Sequence, residues 1–115
     1  MSIVTIWHNP RCSKSRQTLA LLQEQGCEVV ERRYMDTPPS EDEIREALRL
    51  LSLPAIGLMR TKEAEFKALG LSKTDDEASL IAAMATTPKL IERPVVFANG
   101  KAALGRPPEA VLDIL

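Results

Sequence analysis

Aromatic residues are scarce in this 115-residue chain, with one Trp, one Tyr and two Phe. A platform for single-stranded nucleic acid needs aromatic faces on which bases stack, so that class is disfavoured. Neither sign of charge is in excess. A formal net charge of −1 supplies no field to draw the chain onto nucleic acid or an anionic membrane. No stretch approaches the ~18 consecutive apolar residues of a membrane span. The apolar run at residues 3–7 is too short and too β-branched for a signal peptide, and no charged segment precedes it. Cys12 and Cys27 are too few for a disulfide framework. With no C-x-x-C pair and a lone histidine, neither a metal nor a bound cofactor is expected. These absences fit one domain in a reducing cytoplasm, without nucleic-acid or membrane partners, and a monomer is expected.

What is present concentrates in the run His8-Asn9-Pro10-Arg11-Cys12-Ser13-Lys14-Ser15-Arg16. The β-branched segment Ile3–Trp7 leads into it, and a helical pattern carrying Leu19 and Leu22 leads out. A cysteine on a strand-to-helix turn lies where helix N–H groups point at its sulfur, which lowers the thiol pKa and makes a nucleophile or an anion site. The polar flanks suit an exposed turn, and Arg11, Lys14 and Arg16 add local positive charge. His8 has three open roles: a base for Cys12, an imidazolium beside it, or a structural histidine at the strand end. Cys27 follows Gly26, and the intervening helix would hold it roughly 20 Å from Cys12 at 1.5 Å per residue. A disulfide needs Cα atoms within about 7 Å, so Cys27 reads as a bystander.

The pattern predicts a strand over 3–7, a helix from Ser13 to Gln25 stopped by Gly26, and a second strand from Glu28 to Tyr34. Strand, helix, strand in this length is a parallel pair with a right-handed crossover. A helical insert follows over about residues 40–87. Ser40-Glu41-Asp42-Glu43 opens its first helix as a capping box, a shorter helix covers Lys62 to Leu69, and Thr74-Asp75-Asp76-Glu77 reads as a second capping box. Val95–Ala98 and Ala102–Leu104 flank Asn99-Gly100, the preferred hairpin turn, because both central residues need positive φ. Pro107-Pro108-Glu109 opens a last helix. The expected fold is α/β and thioredoxin-like: a four-stranded mixed sheet in the order β-α-β, helical insert, β-β-α. In that topology the proline that opens the strand after the insert faces the cysteine turn, so a cis Arg93–Pro94 bond is expected. Arg60, Arg93 and Arg106 each stand beside an apolar run or a proline, but no spacing rule brings the three together.

Four segments resemble the ArsC family of glutaredoxin-coupled arsenate reductases, most of all its short YfgD-type branch. They are His8 to Cys12, Leu58-Met59-Arg60, Glu92 to Val96, and Gly105-Arg106-Pro107-Pro108 with Val111 to Ile114. The resemblance implies a nucleophilic Cys12, a thiolate-assisting His8, and oxyanion-binding Arg60, Arg93 and Arg106. It further implies arsenate as substrate, glutathione as co-substrate, glutaredoxin as partner, and a part in arsenic detoxification. Ser13-Lys14 departs from the small, uncharged pair of the better-studied reductases. Two other readings stay open. One is an RNA-polymerase-binding redox regulator of the same fold, although Ser15 stands where its second cysteine would be. The other is a monothiol glutathione-linked thiol-disulfide enzyme.

Overall fold

The computed structural model describes residues 3–115. They form two compact units. One holds the described residues up to Thr37 together with Arg93–Leu115, and the other is Pro38–Glu92.

The first unit is built on a four-stranded sheet in the order β2-β1-β3-β4. Its strands are β1 (Ile3–Trp7), β2 (Glu28–Arg32), β3 (Val95–Ala98) and β4 (Lys101–Leu104). β1 runs parallel to β2 and antiparallel to β3, and β3 is antiparallel to β4. The parallel pair is joined by helix α1 (Ser13–Glu24). This is the thioredoxin-like mixed sheet expected from the sequence. Alternation along β1 sends Val4 and Ile6 to one face, where Leu22, Val96, Ala98, Val111 and Ile114 complete a buried cluster. α1 and the C-terminal helix pack together there.

Local chemistry sets the boundaries. α1 ends in a Schellman motif: the Cys27 N–H donates to Leu22 O, the Gly26 N–H donates to Gln23 O, and Gly26 takes φ +76°. The motif also explains Cys27, which packs beside Leu22 in the cluster as the apolar residue that follows such a cap. β2 stops at Arg32, short of the expected Tyr34. The His8 N–H takes the Arg32 carbonyl at 2.8 Å as β1 ends, and the chain then turns through Arg33 to Thr37. Asn99 and Gly100 have φ of 54° and 72°, the hairpin turn their identity predicts. Asn99 Nδ2 also donates to Ile114 O at 2.9 Å. The last helix is 3-10 and spans Pro108–Ile114, one residue later than expected. Its buried residues Pro108, Val111 and Ile114 recur every third position, the period of a 3-10 helix.

The second unit is helical: α2 (Glu41–Leu51), α3 (Ala64–Ala68) and α4 (Glu77–Thr86), with 3-10 segments at Ala55–Leu58 and Pro88–Leu90. α2 opens with the capping box read from the sequence, Glu43 N–H to Ser40 Oγ and Ser40 N–H to Glu43 Oε1. α3 is shorter than expected because Glu63 is its extended N-cap. The second capping box does not form. Asp76 is the N-cap with no side-chain bond, Asp75 accepts the Ser72 N–H, and both Glu77 oxygens accept the Ala55 N–H. Ala55, fully buried, opens a 3-10 segment, and an unsatisfied donor there costs more than a missing cap on an exposed helix end.

Candidate functional site

The register of the sheet builds this site. Counting outward from Asn99-Gly100, Leu104 stands opposite Val95 and the Gly105 N–H donates to Pro94 O at 2.9 Å. One step further, Arg106 Nε donates to Arg93 O at 2.8 Å. Trp7, the last residue of β1, pairs with Val95 at the same end of the sheet. The turn after β1 and both hairpin arginines therefore meet at one place. This hairpin register is the signal that sequence reasoning overlooked when it found no rule joining Arg93 to Arg106.

Between β1 and α1 the chain is tied by its own polar groups. The Cys12 N–H donates to Asn9 O, the Arg11 N–H to Asn9 Oδ1, and Arg16 Nη1 to Pro10 O. Pro10, Arg11, Ser13 and Lys14 are exposed, as their polarity predicts. Cys12 itself is turned inward and only 8% exposed, which corrects the expectation of an exposed residue. It occupies the N-cap of α1, with φ −95° and ψ 124°. Arg106 Nη2 lies 3.8 Å from its sulfur.

Burial pushes the Cys12 thiol up, but it is outweighed. The Ser15 N–H, the Arg93 charge, the Lys14 N–H and an Arg93 side-chain hydrogen bond together hold the thiol below its ordinary value. The helix start thus does to the sulfur what the sequence pattern predicts, and the arginine before β3 adds to it.

His8 is buried, and its Nδ1 shares a 2.7 Å hydrogen bond with Ser15 Oγ. That hydroxyl also accepts the Asn9 N–H at 3.0 Å. Burial pulls the histidine below its ordinary value; Glu31 opposes this, while Arg33 and Arg16 reinforce it. Burial thus works against the imidazolium role considered for His8. Ser15 and Thr18, both fully buried, were passed over by sequence reasoning. Thr18 returns its hydroxyl to Lys14 O at 2.8 Å, as helix-interior threonines do.

Gly105 is a further residue that reasoning missed. A Cβ there would lie 2.6 Å from Thr18 Oγ1 and 2.7 Å from Pro94 Cγ, so only glycine lets the strand end close against α1. The Arg93–Pro94 bond is cis, and so is Arg106–Pro107.

Arg60 belongs to the helical unit. Its N–H donates to Leu90 O at 2.7 Å, and its Nη2 lies 2.6 Å from Glu63 Oε1. Among the described residues no cluster of three His, Cys, Asp or Glu is arranged to hold a metal ion, and no helix is long and apolar enough to cross a membrane.

Known proteins resemble this chain over nearly its whole length. The model of the ArsC family matches residues 7–114. The chain is 51% identical over 114 residues to a protein named YfgD from Escherichia coli K12, covering 97% of this chain and 96% of that one. It is 46% identical over 117 residues to an arsenate reductase from Neisseria meningitidis, with all of both chains covered. A solved arsenate reductase from Vibrio cholerae superimposes with a TM-score of 0.95 at 48% identity, covering 99% of this chain and 98% of that one.

Proposed function

Because this chain belongs to the ArsC family, we propose that it reduces arsenate to arsenite with the Cys12 thiolate as nucleophile. The observation that carries this reading is the approach of Arg106 Nη2 to within 3.8 Å of a sulfur whose thiol pKa is lowered. A thiolate beside a guanidinium is suited to an oxyanion, which needs both a cation to hold it and a nucleophile to attack its central atom. The relatives named arsenate reductase support arsenate as that oxyanion.

The sulfur of Cys12 attacks arsenic, and one arsenate oxygen leaves as water. Arg93 and Arg106 hold the remaining oxygens by charge-assisted hydrogen bonds, and the family resemblance implies the same role for Arg60. The planar fork of arginine matches two oxygens at once, which an ammonium does not. The glutathione sulfur then bonds to arsenic and displaces a second oxygen as water. A glutaredoxin thiol attacks the glutathione sulfur, a mixed disulfide forms, and the electron pair of the broken arsenic–sulfur bond stays on arsenic, now trivalent. Water cleaves the remaining Cys12–arsenic bond, releasing arsenite and restoring the thiol. The thiols come from a reducing compartment, consistent with the cytoplasm. His8, bonded to Ser15, acts by holding the turn that presents Cys12.

Arsenate-dependent oxidation of NADPH in the presence of glutathione, glutaredoxin and glutathione reductase tests this function. Turnover that requires arsenate and vanishes in Cys12→Ser is expected. Turnover that survives the substitution, or none with the intact chain, refutes it.

A further inference from the structure

Glu63 is the N-cap of α3, yet its side chain makes no capping bond. The shorter Ser, Thr, Asp and Asn side chains are the ones that favour capping from that place. Here one carboxylate oxygen lies 2.6 Å from Arg60 Nη2, and the other is 3.7 Å from Lys89 Nζ. Lys89 in turn stands 3.3 Å from Glu65 Oε2. The Arg60 and Glu63 side chains are 24% and 19% exposed, so water screens their charges less than at an open surface. Backbone bonds fix both ends of the pair, with the Arg60 N–H on Leu90 O and the Glu63 N–H on Arg60 O. Two acids and two bases make the cluster neutral, and the Arg60 guanidinium already has a carboxylate on one of its donors.

We infer that Glu63 is a positioning residue that restrains the Arg60 guanidinium and weakens its grip on a tetrahedral oxyanion. This rests on the reading that Arg60 is an anion ligand. An incoming dianion must share Arg60 with a carboxylate that repels it. Phosphate and arsenate have the same shape and charge, and an unrestrained guanidinium would hold both firmly. With Glu63 in place the ground-state hold on either is light, so the unreactive anion leaves easily. Discrimination then falls to the step in which sulfur bonds to arsenic.

Equilibrium binding of inorganic phosphate and of arsenate, measured by calorimetry without any thiol co-substrate, tests the inference. Glu63→Gln keeps an acceptor for Arg60 and removes only the charge. It is expected to tighten both dissociation constants by about threefold to tenfold, the order of one nearby partly screened charge. In an Arg60→Gln background the same change is expected to give no gain. Lys89→Met leaves Glu63 to Arg60 alone and is expected to weaken binding. A purely structural Glu63 would never tighten binding when altered. Unchanged or weaker binding in Glu63→Gln, while Arg60→Gln weakens it, overturns the role of Glu63 and keeps Arg60 as a ligand. Unchanged binding in Arg60→Gln removes Arg60 as a ligand, and Glu63 with it. If Glu63→Gln does not fold, Lys89→Met decides, and unchanged binding there overturns the inference.

Discussion

Arg106 Nε donates to the Arg93 carbonyl at 2.8 Å, while the same guanidinium turns Nη2 toward Cys12 Sγ at 3.8 Å. One planar group thus ties the two ends of the hairpin together and faces the sulfur. A lysine supplies the charge but cannot make both contacts in one rigid geometry. Arg106→Lys is therefore expected to lower arsenate-dependent turnover about tenfold or more, the loss of a hydrogen bond to a charged group worth about 1.5–3 kcal/mol. Steady-state kinetics check this, and near-normal turnover counts against a two-point role.

Arg93 favours the Cys12 thiolate through both its charge and a hydrogen bond. Arg93→Gln is expected to raise the thiol pKa, seen as a shift to higher pH in the rate at which Cys12 is alkylated. A profile that does not move contradicts the assignment.

His8 makes folding pH-dependent, with a defined sign. Burial holds its pKa below the ordinary histidine value in the folded chain, so the unfolded chain binds more protons in the interval between the two. Its contribution to stability is complete above the ordinary histidine range and is lost as pH falls through that range to the lowered value. Chemical denaturation at a series of pH values is expected to show this loss, and His8→Gln to flatten it. An identical slope in the variant would exclude His8 as the source.

Gly105→Ala forces a Cβ into Thr18 and Pro94. Overpacking of this kind costs about 1–3 kcal/mol, and the shift moves the neighbouring Arg106. Denaturant unfolding should show the loss, accompanied by reduced turnover. A variant as stable and active as the parent means the strand end yields more readily than its contacts imply.

In the helical unit, Glu77→Ala strands the Ala55 N–H that both carboxylate oxygens accept. An unsatisfied buried donor costs about 1–3 kcal/mol, measurable as a lower denaturant midpoint. Removing the exposed partner of an ordinary helix cap would cost less.

Much of this architecture was legible in the sequence where its cause is local. A β-branched run marked β1, Gly26 ended α1, Asn99-Gly100 set the hairpin, and Ser40 with Glu43 capped α2, because each depends on neighbours within a few residues. The failures share a different origin. Glu77 matched a capping box but serves Ala55, 22 residues away, and nothing local separates these two uses. The polar flanks of Cys12 describe the turn's exposed side and not the direction of the sulfur. The Arg93–Arg106 pairing was accessible in principle, since a two-residue turn fixes the register of everything beyond it. The close approach at Gly105 depends on α1 reaching the strand end, which requires the packed unit.

The most direct test of the central claim is the pH dependence of Cys12 alkylation, measured with and without arsenate. An ionised sulfur flanked by guanidinium groups should alkylate with a midpoint below that of a free cysteine, and arsenate should slow the reaction in the intact chain much more than in Arg106→Ala. A midpoint at or above the free-cysteine value, or a rate indifferent to arsenate, contradicts the account.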